Sequence, residues 1–165
     1  MCTLSSACST GSEISSAPKT VNFLSDDDLQ NVERYDLVEF RAQDFELSGS
    51  AASATEVLGA VCDLMGNGFT LQITTPAKVN VPMYRGTAQV ISARCTSRDQ
   101  TAQATFEPQN ITTNPKPNPL KGGLIGIAVV QAAAVVNKSS RDQTQDRFDF
   151  PHTLKVNFNQ PQPDA

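Results

Sequence analysis

Apolar and polar residues alternate one by one along much of the middle of the chain. Phe69, Leu71 and Ile73 are separated by single polar residues, and the same alternation returns over residues 87–92. Side chains of a β-strand point alternately to its two faces, so a period of two indicates strands with one buried and one hydrated face. Shorter alternating segments lie at residues 35–40, 45–47, 79–81, 101–106 and 153–158. The pattern predicts a mainly antiparallel sheet of about five to seven strands.

Residues 53–65 have a different spacing, which predicts an amphipathic helix. Apolar side chains recur there at helical intervals, at Val57, Leu58, Val61, Leu64 and Met65. Ser53 and Glu56 have the spacing of a capping box, and the glycines of residues 66–68 suit a left-handed helix end. A shorter helix is predicted directly after Ser25, because this residue can cap a helix and three aspartates follow it in the first turn.

The most apolar stretch of the chain is residues 120–137. From Gly122 to Val136 it has no charged residue and one polar side chain, Gln131. As a helix this run would be roughly 22 Å long, whereas a bilayer core is about 30 Å thick. A helix that is apolar on every side has to be buried on every side. Three interpretations stay open: a buried core helix, a helix packed against a copy of itself, and a segment that inserts into a membrane.

Small residues in this run indicate where a second backbone could approach. Gly122 and Gly126 lie four residues apart, and Ala134 follows on a similar face of the predicted helix. For an oligomer, the sequence therefore predicts one set of interface residues: Gly122, Gly126, Ile127, Val130 and Ala134.

These elements together predict an α+β fold, with a mainly antiparallel sheet, one amphipathic helix at 53–65 and one apolar helix at 120–137. A length of 165 residues suits a single domain, which we place at residues 20–158. Residues 1–19 are rich in Ser, Ala and Thr without an apolar period, which predicts a disordered arm. Residues 159–165 are expected to form a flexible tail.

Composition and charge narrow the classes of partner. The formal net charge is −4, so the overall field repels nucleic acid, and no basic patch with interleaved aromatic residues is present in the sequence. The first residues lack the basic and apolar regions of a secretory signal, which favours a cytoplasmic location. We expect a homo-oligomer or a protein partner and no nucleic acid, with a membrane as the less favoured partner.

The four cysteines and the single histidine supply little chemistry in the sequence. None of the cysteine spacings matches a metal or redox pair, and Cys62, beside the 53–65 stripe, is predicted to be a buried free thiol. A catalytic arrangement would need His152 with Asp149 to orient it and with Cys62 or Cys95 as nucleophile, but no nucleophile elbow surrounds either cysteine. No metal, cofactor or catalytic residue is therefore assigned.

The function expected from the sequence is that of a non-enzymatic structural or interaction protein, which self-associates or docks into a larger assembly. The motivation is the combination of a small-residue apolar run, weakly charged strands and polar ends. Two alternatives are a membrane-active protein that inserts residues 120–137 and a small enzyme that uses His152.

Overall fold

The computed structural model describes residues 11–48, 51–112 and 142–159, and most residues in these ranges belong to β-strands. The strands are β1 (Lys19–Thr20), β2 (Asn22–Phe23), β3 (Val32–Ser48), β4 (Ala51–Val57), β5 (Val61–Gly66), β6 (Phe69–Thr74), β7 (Ala77–Tyr84), β8 (Ile91–Ser97), β9 (Gln100–Phe106), β10 (Gln109–Asn110), β11 (Phe148–Asp149) and β12 (Thr153–Phe158). The helical segments of the described ranges are α1 (Asp26–Gln30) and a 3₁₀ turn at Gln143–Gln145. The predicted α+β class is therefore wrong, since the described chain is a β-protein.

The strands form two large sheets. Sheet A has the order β1-β7-β3-β12, and sheet B has the order β2-β6-β5-β8-β9. The 17-residue strand β3 organises sheet A, because β7 pairs with its first half and β4 with its second half. Strand β12 runs parallel to β3 on the other side. Strands β10 and β11 form a separate short ladder.

The inner faces of the two sheets share one hydrophobic core. Strand β3 contributes its buried Val38, Phe40 and Ala42, and β5, β6, β7, β8 and β12 contribute their alternate buried residues. The rings of Phe40 in sheet A and Phe106 in sheet B meet edge to face, with their centroids 6.0 Å apart and their planes at 80°. This packing of two sheets through their inner faces defines a β-sandwich.

The chain crosses between the sheets at several points. Strand β1 pairs with β7 in sheet A and strand β2 pairs with β6 in sheet B, so the buried Val21 between them marks one crossing. A second crossing joins β6 to β7 through the cis peptide bond Thr75–Pro76. Thr75 also receives a hydrogen bond from Gly59 N and donates one to Ala60 O, which joins this crossing to the one between β4 and β5.

The helix predicted at residues 53–65 is absent, because these residues form β4, a turn and β5. Gly59 in the turn has a φ of 79°, which a right-handed helix does not allow. Cys62 and Leu64 are buried while Val61 and Met65 are exposed, so the apolar residues divide between the two faces of a strand. Pairing of β5 with its hairpin neighbour β6 and with the more distant β8 overrides the local helical spacing.

Other predictions from the sequence are confirmed. Ser25 caps α1, since its Oγ accepts a hydrogen bond from Asp28 N, as the Ser-Asp-Asp-Asp sequence predicts. Strands also lie where alternation predicts them at residues 69–74, 101–106 and 153–158. The apolar run at residues 120–137 lies outside the described residues.

A disulfide bond joins Cys62 on β5 to Cys95 on β8 inside the core. The two residues are direct partners in the ladder of these neighbouring strands, and their exposed fractions are 1% and 0%. The predicted burial of Cys62 is confirmed, but its predicted free thiol is wrong. Since each sulfur is bonded to the other, neither cysteine is available as a nucleophile or a metal ligand in this state.

Candidate interaction surface

The interface residues expected from the sequence, Gly122, Gly126, Ile127, Val130 and Ala134, all lie outside the described residues. The described residues offer instead the surfaces of the sandwich.

His152, the residue of the enzyme alternative, lies immediately before β12 with 71% of its side chain exposed. Its Nε2 is 3.7 Å from Oε1 of Glu39, while Asp149, its expected orienting acid, binds Arg34 instead. An open groove of about 310 Å³ runs beside these residues. His152 thus has no nucleophile from Cys62 or Cys95 beside it, because those two are bonded to each other in the core.

Arg34 on β3 binds two carboxylates and one backbone carbonyl. Its guanidinium forms ion pairs with Asp36 on the same strand and with Asp149 on β11, and it donates a hydrogen bond to Phe148 O. Phe150 N donates to Asp36 Oδ2 at 3.4 Å. These contacts fasten the β11 segment to β3, which gives the cluster a structural role.

A second charged cluster lies on the outer face of sheet A. Arg41 binds Glu39 at 3.0 Å and Glu56 at 2.5 Å, and Glu56 accepts hydrogen bonds from Ser12 N and Ser12 Oγ, both at 2.7 Å. Ile14, two residues further along, is 7% exposed. The segment that precedes β1 is therefore held against sheet A by the Glu56 carboxylate and by Arg41, whose Nη1 donates a hydrogen bond to Ser12 O at 3.0 Å.

The pKa of Glu56 reflects this arrangement. Burial raises it, but the hydrogen bonds from Ser12 and the charge of Arg41 outweigh burial, so the pKa falls below its ordinary value of 4.5. Because the pKa is lower in the folded chain than in the unfolded one, ionised Glu56 stabilises the fold above that value. The contribution is lost as the pH falls through the folded pKa.

We therefore expect the free energy of unfolding of Glu56→Gln to depend less on pH, at acidic pH, than that of the wild type. The free energy of unfolding of the wild-type protein should drop between about pH 5 and pH 3 more steeply than that of the variant. Urea unfolding at a series of pH values measures this difference. Glu107→Gln, which replaces an exposed carboxylate between β9 and β10, is the control. Equal slopes for Glu56→Gln and wild type would show that the Ser12–Glu56–Arg41 contacts do not form.

The outer face of sheet B is open and regular. Strands β6, β5, β8 and β9 lie side by side, and their register aligns the outward side chains in three rows across the strands. In the order β6, β5, β8, β9 the rows are Thr74, Val61, Thr96, Thr101, then Gln72, Asp63, Arg94, Gln103, and then Thr70, Met65, Ser92, Thr105. All of these side chains are exposed except Thr70, which is half-buried.

The sheet B face differs from the whole chain in its net charge. Asp63 and Arg94 are its charged residues and are direct cross-strand partners, so the face is neutral while the chain carries −4. Asp63 Oδ1 accepts a hydrogen bond from Gln72 Nε2 at 2.8 Å. Met65 and Val61 expose 58% and 42% of their surfaces on the same strand. The face therefore combines low net charge, hydroxyl and amide groups, and exposed apolar area.

Sequence reasoning missed this surface because it assigned β5 to a helix. On a helix, Val61 and Met65 belong to the same apolar stripe as Leu64, and no exposed face is left. The signal that could have found it is the strand-like alternation of Cys62 and Leu64 with Val61, Asp63 and Met65. Once β5 is a strand, the Thr and Gln residues of β6 and β9 fall on its outward side.

Comparisons with known proteins leave the function to be argued from these surfaces. No family model matches the chain, and no curated protein or solved structure matches it either. Within the described ranges, no group of three or more His, Cys, Asp or Glu side chains is placed to hold a metal ion. No helix in the same residues has the length and apolar character needed to cross a membrane.

Proposed function

We propose that the chain is a structural or interaction protein that self-associates or docks into an assembly, and that the sheet B face is the surface it uses. The observation that carries the proposal is the open central strand β5, which exposes Met65 and Val61 on either side of Asp63. Exposed apolar side chains within a polar, neutral surface are typical of transient protein interfaces.

Three properties of the face support this use. The backbone of a β-sheet is already ordered, so binding through this face costs little backbone conformational entropy. Burial of the disulfide beneath the face, between β5 and β8, adds a covalent link between its two central strands. Repulsion between copies of a chain of charge −4 is lowest where the surface itself is neutral.

The cytoplasmic location expected from the sequence is part of the proposal, and the Cys62–Cys95 bond bears on it. Cytosolic reductants keep accessible thiols reduced. Both cysteines are at most 1% exposed, so a bond that has formed is shielded from those reductants until the sandwich opens. Alkylation of free thiols during cell lysis, followed by mass spectrometry, tests whether the bond exists where the protein resides.

Met65→Lys is expected to weaken self-association about tenfold, because it removes a half-exposed apolar contact and adds a charge that has to be desolvated. Sedimentation velocity over a concentration series measures this effect on the dissociation constant. Leu37→Lys is the matched control, since Leu37 is an apolar residue 44% exposed on the outer face of sheet A. Equal dissociation constants for the two variants would contradict the use of sheet B, and a wild-type chain that stays monomeric would contradict self-association itself.

A further inference from the structure

We propose that the sheet B face binds the same face of a second copy, around a two-fold axis that runs parallel to the strands between β5 and β8. The inference rests on the proposed function and specifies its partner and its geometry. What carries it is the arrangement of the two charged residues, because Asp63 and Arg94 occupy the central row on either side of that line.

A two-fold axis along the strands exchanges left and right on the face and keeps each row in place. Strand β5 of one copy then lies over β8 of the other, so Asp63 faces Arg94 of the second copy and Arg94 faces Asp63. The outer two of these four strands, β6 and β9, are exchanged in the same way. Each of their residues then faces a residue of the same type in the second copy, in the pairs Thr74 with Thr101, Gln72 with Gln103 and Thr70 with Thr105.

These pairings are chemically complementary. Two ion pairs form at the centre, and facing glutamine amides can each donate and accept a hydrogen bond. Threonine presents both a methyl and a hydroxyl group, so facing threonines can pack and bond. The apolar residues of β5 meet small side chains of β8, with Val61 over Thr96 and Met65 over Ser92. The longer Met65 is thereby accommodated over the shorter serine.

The other aligned arrangement, with the axis across the strands, reverses the order of the rows. It brings Val61 over Met65, which is a favourable apolar contact. It also places Asp63 over Asp63 and Arg94 over Arg94 at the centre, and like charges in direct opposition oppose binding. Charge complementarity therefore selects the axis parallel to the strands.

The size of the face indicates how strong this dimer should be. Four strands about 4.8 Å apart, each presenting five residues of about 3.4 Å, cover roughly 19 Å by 17 Å. Two such faces have a combined area of roughly 650 Å², which is below the about 1,000 Å² expected of stable specific interfaces. The dimer is therefore weak, and its detection needs protein concentrations on the order of 0.1–1 mM.

Charge reversal tests the geometry. Asp63→Arg and Arg94→Asp are each expected to raise the dissociation constant at least about tenfold, because a two-fold interface repeats every altered contact. An equimolar mixture of the two variants should recover association as a heterodimer, since one chain then presents two arginines and the other two aspartates. The double variant Asp63→Arg/Arg94→Asp should associate like wild type. Sedimentation velocity of the full chain gives the dissociation constants of the wild type, the two single variants, their mixture and the double variant.

Two controls make the result specific to the face. Asp99→Arg and Arg98→Asp change the net charge by the same amounts in the exposed β8–β9 turn, outside the three rows, and should leave association unchanged. Melting temperatures close to wild type show that the single variants fold. Recovery in the mixture shows the same for each partner.

The outcomes separate this inference from the proposed function. The inference is supported if both single variants lose association and if the mixture and the double variant recover it. Association of the wild type that charge reversal does not change, but that Met65→Lys weakens, would overturn the inference while the proposed use of the sheet B face stands. A wild-type chain that remains monomeric up to about 1 mM would overturn the inference and the self-association on which it rests.

Discussion

Replacing Cys62 and Cys95 together by alanine is expected to lower the free energy of unfolding by about 3–4 kcal/mol. The bond links residues separated by 33 positions, and a loop of that length restricts the unfolded chain considerably. Loss of two buried sulfur atoms adds a small packing defect. Guanidinium unfolding of the oxidised wild type and the double variant measures the difference.

The two remaining cysteines provide the control for this prediction. Cys2→Ala/Cys8→Ala removes the same number of sulfur atoms from the chain without touching the bond. Native wild-type protein should also resist mild reductant, because both bonded residues are buried. A free energy of unfolding for Cys62→Ala/Cys95→Ala within about 0.5 kcal/mol of wild type would contradict a stabilising disulfide in the core.

Phe40→Ala is expected to lower the free energy of unfolding by about 3–5 kcal/mol. Phe40 is 1% exposed and lies on the inner face of β3, where its ring meets that of Phe106 from the other sheet. Removing the ring deletes a large buried surface and leaves a cavity between the sheets. Urea or thermal unfolding measures the loss of stability. If Phe40→Ala does not fold, Phe40→Leu is used in its place.

Leu37→Ala, on the outer face of the same strand, is the matched control. Its side chain is 44% exposed, so its loss should cost less than about 1 kcal/mol. A double-mutant cycle of Phe40→Leu with Phe106→Leu should also show a coupling of about 0.5–1.5 kcal/mol for the ring pair. Additive effects, or equal losses at positions 37 and 40, would contradict the packing of sheet A on sheet B.

The parts of the fold that the sequence predicts are those with a simple local signal. Alternation at Phe69–Thr74 and Thr153–Phe158 locates β6 and β12, and Ser25 with its three aspartates locates α1. The helix predicted at residues 53–65 is wrong because their apolar spacing fits a helix as well as two strands joined by Gly59. The choice between these depends on strands outside the stretch. Two of them, β3 and β6, are its hairpin neighbours, and the third, β8, lies further along the chain beyond β7.

The candidate surface could be predicted only in part for the same reason. The Thr and Gln residues of the strands indicate a hydrated face, but their grouping into rows requires the register of four strands. Asp63 and Arg94 are cross-strand neighbours only because β5 pairs with β8. These two strands are separated by two others along the chain. The sequence-based interface at Gly122 and Gly126 stays a prediction.

The most direct test of the sheet B interface is the solvent exposure of Met65, measured by NMR on protein with labelled methionine methyl groups. Met65 is 58% exposed in one copy and Met83 is 2% exposed, so Met83 is an internal reference. With a soluble paramagnetic agent, the Met65 signal should broaden strongly in dilute protein and much less at concentrations where sedimentation shows association. Met65 broadening that stays unchanged while the chain associates would contradict the account.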